Sequence, residues 1–127
     1  VASVVRPALD RGAVCITDRY IDSSIAYQGA GRVLEPDDIA RISMWATGDL
    51  WPDLTIVLDI DPVVGLTRFS APADRLEAEP LAFHQRVREH FLALSRRSPE
   101  RYLVLDATAP VDAVSSEISA AVLRRLS

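Results

Sequence analysis

Residues 18–32 read Asp-Arg-Tyr-Ile-Asp-Ser-Ser-Ile-Ala-Tyr-Gln-Gly-Ala-Gly-Arg, a stretch that concentrates charge, hydroxyls, an aromatic ring, an amide and glycines. An arginine held at Arg19 behind a short apolar run offers a planar guanidinium fork for bidentate binding of a phosphate. Asp18 can orient that arginine or hold a water of a hydrated Mg²⁺. The plainer alternative is an ordinary surface ion pair between the two. If a helix begins near Asp22, residues 24, 27, 28 and 31 share one face. Ser24, Tyr27 and Gln28 then present a hydroxyl, a ring and an amide beside bare glycine backbone, a set able to hydrogen-bond a pyrimidine edge and stack on its ring. Ser23 adds a second hydroxyl. Read more simply, a serine caps the helix and Tyr27 is half-buried. Arg32 either closes the same site or is solvated.

A second set lies at 68–80. Arg68 precedes Phe69-Ser70-Ala71-Pro72-Ala73, and Asp74-Arg75-Leu76-Glu77 follows before Pro80. A proline-broken segment carrying arginines can close over a γ-phosphate, supplying positive charge where the transition state concentrates negative charge. The alternative is a solvated loop with a local ion pair. Asp53, Asp59 and Asp61 fit helix caps or pairs better than ligands. His84 and His90 read as exposed helix residues. No set of Cys, His and carboxylates has metal-ligand spacing, so no protein-held metal is expected. Cys15, the single cysteine, cannot form an intramolecular bridge and is expected to pack as a small core residue in a reducing, intracellular setting.

These residues need elements to position them. Apolar residues at 1, 4, 5, 8 and 9 have helical spacing that stops at Gly12, with Pro7 counting against the assignment. Residues 13–17 read as a buried strand whose end delivers Asp18 and Arg19 to the carboxyl edge of a parallel sheet, where such sheets bind ligands. A helix over 22–30 follows. A second opens at Glu35-Pro36-Asp37-Asp38, buries Ile39, Ile42 and Ala46, and closes by Trp51-Pro52-Asp53. A strand at 54–58 ends in Asp59, and Asp61-Pro62 caps a short helix. The clearest helix, 81–97, carries Phe83, Val87, Phe91 and Leu94 as its apolar stripe. A third strand at 102–105 ends in Asp106. The last helix, 110–126, turns Val111, Val114, Ile118, Val122 and Leu126 inward. Three strands alternating with helices imply an α/β chain with a parallel sheet.

At 127 residues and 49% hydrophobic content the chain suits one domain or part of one, and its apolar runs are far too short to span a membrane. The net charge of −4 argues against general nucleic-acid binding. All 14 basic residues are arginine, and asparagine is absent. With no initiator methionine and no secretory segment, the sequence is expected to begin inside a longer reading frame or to have been trimmed.

The Asp-Arg-Tyr and Ala-Tyr-Gln-Gly segments resemble signatures of bacterial thymidylate kinases. Pro52-Asp53-Leu54-Thr55, Leu58-Asp59, Asp74-Arg75-Leu76-Glu77, Phe83-His84 and Arg86-Val87-Arg88 extend the likeness from about Pro7 to about Val122. The resemblance implies a P-loop nucleotide kinase fold whose phosphate-loop strand lies between this chain's first and second strands. No Gly-x-x-x-x-Gly-Lys is present, so the chain is expected to be the C-terminal part of a single kinase domain over 1–127, with an acceptor site at 18–32 and a lid at about 68–80. Implied with it is transfer of the ATP γ-phosphoryl, with Mg²⁺ riding on ATP, to dTMP to give dTDP. Arg19 would contact the monophosphate, Ser24 the thymine edge, Tyr27 the underside of the deoxyribose and Gln28 the base or phosphate. Asp18 and Ser23 would complete the acceptor side. Arg75 would meet the transferring phosphate and Arg68 the donor nucleotide, whose adenine borders the backbone at 106–108. Many relatives carry Asn or Thr where Ser24 stands and several arginines across 69–73, both departures here. A cytoplasmic homodimer is expected, with Met44, Trp45 and Trp51 as a candidate dimer face. Two alternatives stand beside this: a non-catalytic nucleotide-binding or dimerisation module, and a kinase for another nucleotide. Without its central strand the chain alone is expected to be inactive and poorly stable, at about 1–3 kcal/mol per unsatisfied buried backbone group.

Overall fold

A computed structural model describes residues 1–31, 35–68 and 80–127. The chain separates into two compact units, Val1–Trp51 and Pro52–Ser127.

The first unit is helical. α1 spans Val5–Asp10. Pro7 is its third residue, inside the first turn where backbone N–H groups have no intrahelical acceptor, so the missing donor costs nothing. The helix ends at Gly12, which takes a left-handed φ of 80°. That turn lets the Gly12 N–H reach the Leu9 carbonyl at 2.8 Å and the Ala13 N–H reach Ala8 at 3.0 Å. α2 (Ile21–Gly31) begins earlier than expected, so Asp22 lies in the first turn rather than capping it. α3 spans Pro36–Thr47, with proline at its start and Asp37 and Asp38 at its positive end. It stops at Gly48, where φ is 64° and the Asp49 N–H donates to the Met44 carbonyl at 2.8 Å. The Arg6 guanidinium also donates to the carbonyls of Thr47 and Gly48, a cation on the negative end of the helix. α2 packs on α3.

Two expectations fail in this unit. Residues 13–17 form no strand: Val14 is 56% and Ile16 92% exposed, and Cys15 is exposed rather than buried. A strand exists only by exchanging backbone hydrogen bonds with a neighbour, and among the described residues none lies alongside this run. The sheet therefore has two strands, not three. On α3, Ile39 is buried as expected, but Ile42 is 62% exposed and Ala46 is exposed. The inward face instead runs from buried Ile39 through half-buried Ser43, Met44 and Thr47.

In the second unit, β1 (Thr55–Asp59) and β2 (Tyr102–Asp106) pair in parallel, in register from Thr55↔Tyr102 to Asp59↔Asp106. The crossover between them carries α4 (Pro62–Leu66) and α5 (Leu81–Arg97); α6 (Val111–Leu126) follows β2. The Asp61 carboxylate accepts from the Val63 N–H at 2.9 Å, the cap its sequence predicts. α5 matches its expected bounds and buries Phe83 and Val87, with Phe91 and Leu94 half-buried. Each sheet face is only partly covered. Val57 is buried while its partner Val104 is not, and Leu105 is buried while its partner Leu58 is 54% exposed. α6 likewise buries its middle, at Ala121, and leaves Val111 and Leu126 exposed. At the starts of the strands Arg125 donates to the carbonyls of Asp53 and Glu100, and Arg101 to the Thr55 hydroxyl.

Candidate functional site

The acceptor candidates gather at the N-terminus of α2. Arg19 occupies the turn leading into the helix, not a strand end, and its φ of 66° is left-handed. A non-glycine residue there carries backbone strain of order 1 kcal/mol, the kind that collects at ligand sites. The Thr17 hydroxyl steadies the turn by donating to the Arg19 carbonyl at 3.1 Å. The outcome is a guanidinium carbon 4.8 Å from the centroid of the Tyr27 ring. Stacked on that ring, an exposed arginine is worth about 0.5–1 kcal/mol and loses part of its rotamer freedom before any ligand arrives.

Along α2 the predicted periodicity holds. Ile21, Ile25 and Ala26 are at most 3% exposed and form the inward face. Ser24 and Gln28 are exposed beside half-buried Tyr27. Ser23, by contrast, is buried and turned off the Ser24–Tyr27–Gln28 face. Asp22 is 3% exposed, placing a carboxylate within the first turn. Asp18 is exposed, and among the described residues it forms no ion pair with Arg19. The plain ion-pair reading of the two is thereby set aside. The Tyr20 hydroxyl oxygen is buried without a hydrogen-bond partner among the described residues.

The second unit gathers charge at the carboxyl ends of its strands. Asp59 accepts a bidentate pair from Arg88, Nε to Oδ1 at 2.7 Å and Nη2 to Oδ2 at 3.1 Å. That bond raises the Arg88 pKa, with burial opposing it and the charges of Asp59 and Asp61 assisting. The Asp59 carbonyl receives the Ala107 N–H at 2.8 Å. Arg68 donates through Nη1 to the Ala107 carbonyl at 3.1 Å. Asp106 closes the turn, taking the Thr108 hydroxyl at 2.6 Å and its N–H at 2.9 Å. Those two bonds, with Arg68 nearby, hold the Asp106 carboxyl below its ordinary range. Among the described residues no group of three or more His, Cys, Asp or Glu could hold a metal ion, and no helix is long and apolar enough to cross a membrane. Arg32 and Arg75 lie outside the described residues.

The thymidylate kinase family model matches residues 1–118 of the chain. The chain belongs to that family. It is 53% identical over 123 residues to a thymidylate kinase of Clavibacter sepedonicus, covering 94% of this chain and 58% of the relative. To that of Deinococcus radiodurans it is 51% identical over 127 residues, covering 98% and 62%. To that of Thermomicrobium roseum it is 50% identical over 121 residues, covering 93% and 58%. The chain thus spans about three-fifths of the length of these thymidylate kinases.

Three features of the site escaped the sequence. Arg88 reads as one arginine among several off the apolar stripe of α5, and Asp59 as a cap; only their approach across 29 residues reveals the pair. The left-handed turn at Arg19 has no sequence marker, since glycine and asparagine are the residues that advertise one. His84, expected to be exposed, is half-buried, with its Nε2 buried and unpartnered among the described residues. Its ring stands edge-on to Phe83 at 5.6 Å, and that apolar contact draws it inward.

Proposed function

We propose that this chain is the acceptor and lid part of a thymidylate kinase domain, with the acceptor site at 18–32 and the lid at about 68–80. The complete enzyme transfers the γ-phosphoryl of Mg²⁺–ATP to dTMP, giving dTDP and ADP. The observation that carries this is Arg19 stacked on Tyr27 beside the exposed Ser24 and Gln28. That arrangement joins an anion fork to a surface fit for a nucleoside, within one helical turn and the loop before it.

No protein nucleophile is needed. A phosphate oxygen of dTMP attacks the γ-phosphorus in line, the bond to the ADP oxygen breaks, and the protein positions and neutralises. Arg19 grips the acceptor phosphate. Ser24 and Gln28 meet the polar edge of the thymine, and Tyr27 lies under the sugar, where a 2′-hydroxyl is disfavoured. Ser23, although buried, supports the helix turn that presents them. Asp18, exposed, is assigned to orienting Arg19 or to holding a water of the Mg²⁺ that would arrive on ATP. Arg68 serves the donor nucleotide and Arg75 the transferring phosphoryl.

A homodimer fits the outward face of α3. Of the expected face, Met44 is half-buried on the inward side of α3, whereas Trp45 is 85% exposed and stands one turn from exposed Ile42, a pair of large apolar side chains that a second copy would cover.

ADP release coupled to dTMP, measured on the longest reading frame containing these residues and on the 127-residue chain, tests the proposal. Phosphorylation of dTMP by the longer polypeptide, lost in Arg19→Ala, is the expected result. A longer polypeptide that leaves dTMP untouched, or that prefers another nucleotide, overturns it.

A further inference from the structure

Among the described residues, the carboxyl edge of the two-stranded sheet carries more negative than positive charge. Asp59 and Asp106 sit in register at the strand ends, and Asp61 follows two residues after Asp59. Against these stand Arg68, hydrogen-bonded to the Ala107 carbonyl, and Arg88, hydrogen-bonded to Asp59. This edge is where open parallel sheets take their ligands. A polyphosphate approaching it meets three carboxylates and two guanidiniums. Remove Arg88 and the balance falls by one further unit, with the Asp59 carboxylate unpaired.

The pair is also mechanically connected. Arg88 fixes both oxygens of Asp59, and the carbonyl of that same residue receives the Ala107 N–H at 2.8 Å. The Ala107 carbonyl in turn takes Nη1 of Arg68 at 3.1 Å. The rest of the Arg68 fork is thereby directed by a turn that hangs from the end of β1. A partly exposed pair such as Arg88–Asp59, with side chains 37% and 22% exposed, adds little to folding stability. Its bidentate geometry instead fixes orientation.

We propose that Arg88 is a charge-balancing residue for the donor nucleotide, holding both oxygens of Asp59 and so screening that carboxylate from the ATP phosphates at the edge where the Ala107 carbonyl takes Arg68. This rests on the assignment of Arg68 to the donor side.

The test is steady-state kinetics on the longest reading frame, with both substrates varied and thermal unfolding measured alongside. Arg88→Gln is expected to raise the KM for ATP about tenfold, leave the KM for dTMP within about twofold and change kcat little. Arg88→Lys, which keeps the charge and loses the fork, falls between. In the double variant Asp59→Asn/Arg88→Gln the unpaired carboxylate is gone, and the ATP KM returns to within about threefold of the parent. Should Arg88→Gln fail to fold, Asp59→Asn alone decides, with an ATP KM equal to the parent's or lower. A double variant as impaired as Arg88→Gln, equal rises in both KM values, a fall in unfolding temperature with no change in ATP KM, or a higher ATP KM in Asp59→Asn each overturns the proposal. A parent that transfers no phosphoryl from ATP to dTMP fails the proposed function itself, and that is seen before any variant is made.

Discussion

Arg19 joins a strained backbone to the side chain proposed to grip the acceptor phosphate, so stability and binding should rank its substitutions differently. At φ 66° an alanine carries the same backbone strain as the arginine, whereas glycine relieves about 1–2 kcal/mol of it. Glycine returns about 0.5–1 kcal/mol through the greater freedom of its unfolded chain. The net expectation is that Arg19→Gly is more stable than Arg19→Ala by up to about 1.5 kcal/mol. For a domain of this size that is a few degrees of unfolding temperature. The wild-type arginine gains only the contact with Tyr27, about 0.5–1 kcal/mol at an exposed site.

Binding should not share this ranking. Two charge-assisted hydrogen bonds to a phosphate contribute about 3–6 kcal/mol in total before ordering costs. Tyr27 already restrains the side chain, so little of that is lost on binding. Arg19→Ala and Arg19→Gly should therefore both raise the KM for dTMP at least a hundredfold, leaving the KM for ATP near its starting value. Tyr27→Leu keeps the fork but removes its support, and a three- to tenfold rise is expected. ADP-release kinetics and thermal unfolding of the same preparations supply both quantities. The reasoning is refuted if Arg19→Gly is the least stable of the three proteins, or if either Arg19 variant binds dTMP within threefold of the parent.

Other consequences are simpler to state. Gly48→Ala forces a left-handed φ on an L-residue and places a Cβ 3.1 Å from Arg6 Nη2. Because the arginine tip can shift, the cost should be mainly the backbone term, about 1 kcal/mol, read as a lower unfolding temperature. Trp45→Glu on the exposed face of α3 should convert a dimer to monomer at micromolar concentration in sedimentation velocity; an unchanged sedimentation coefficient rejects that face. The folded-state pKa of Asp106 is depressed, chiefly by the Thr108 hydroxyl and then by its N–H. Its stabilising effect should accordingly be complete above the ordinary carboxylate value of about 3.9 and be lost as the pH falls below it. Thr108→Val should move the Asp106 titration, followed by NMR, back toward that value.

The shared face of α2 was legible because helical spacing is local. Ser24, Tyr27 and Gln28 share a face on any helix that begins near residue 21, whatever surrounds it. The Asp61 cap, the bounds of α5 and the acidic opening of α3 follow from the same short-range rules. The orientation of α3 did not follow, because Ile39, Ile42 and Ala46 were a reasonable apolar stripe on periodicity alone. Which part of a broad stripe turns inward depends on the neighbouring helix, and packing against α2 selected the side from Ile39 to Met44 and left Ile42 outside.

The missing strand marks where local reasoning ends. Residues 13–17 and 54–58 have the same apolar, β-branched character, and both read as strands. Only the second found a partner: Thr55–Asp59 lies in register with Tyr102–Asp106, each residue paired with one 47 positions away. β-propensity is a preference for a pleated surface supplied by neighbours rather than an intrinsic backbone state. Val14 and Ile16, exposed at 56% and 92%, show the same side-chain types with no such surface beside them. The functional consequence is that Arg19 does not depend on a strand for its placement. The Thr17 hydroxyl, the left-handed turn and the Tyr27 ring position its guanidinium through contacts no more than eight residues distant in the chain. A helix face built this locally keeps its geometry whenever α2 forms, which is why the shared face of Ser24, Tyr27 and Gln28 could be read where the strand expected before Arg19 could not.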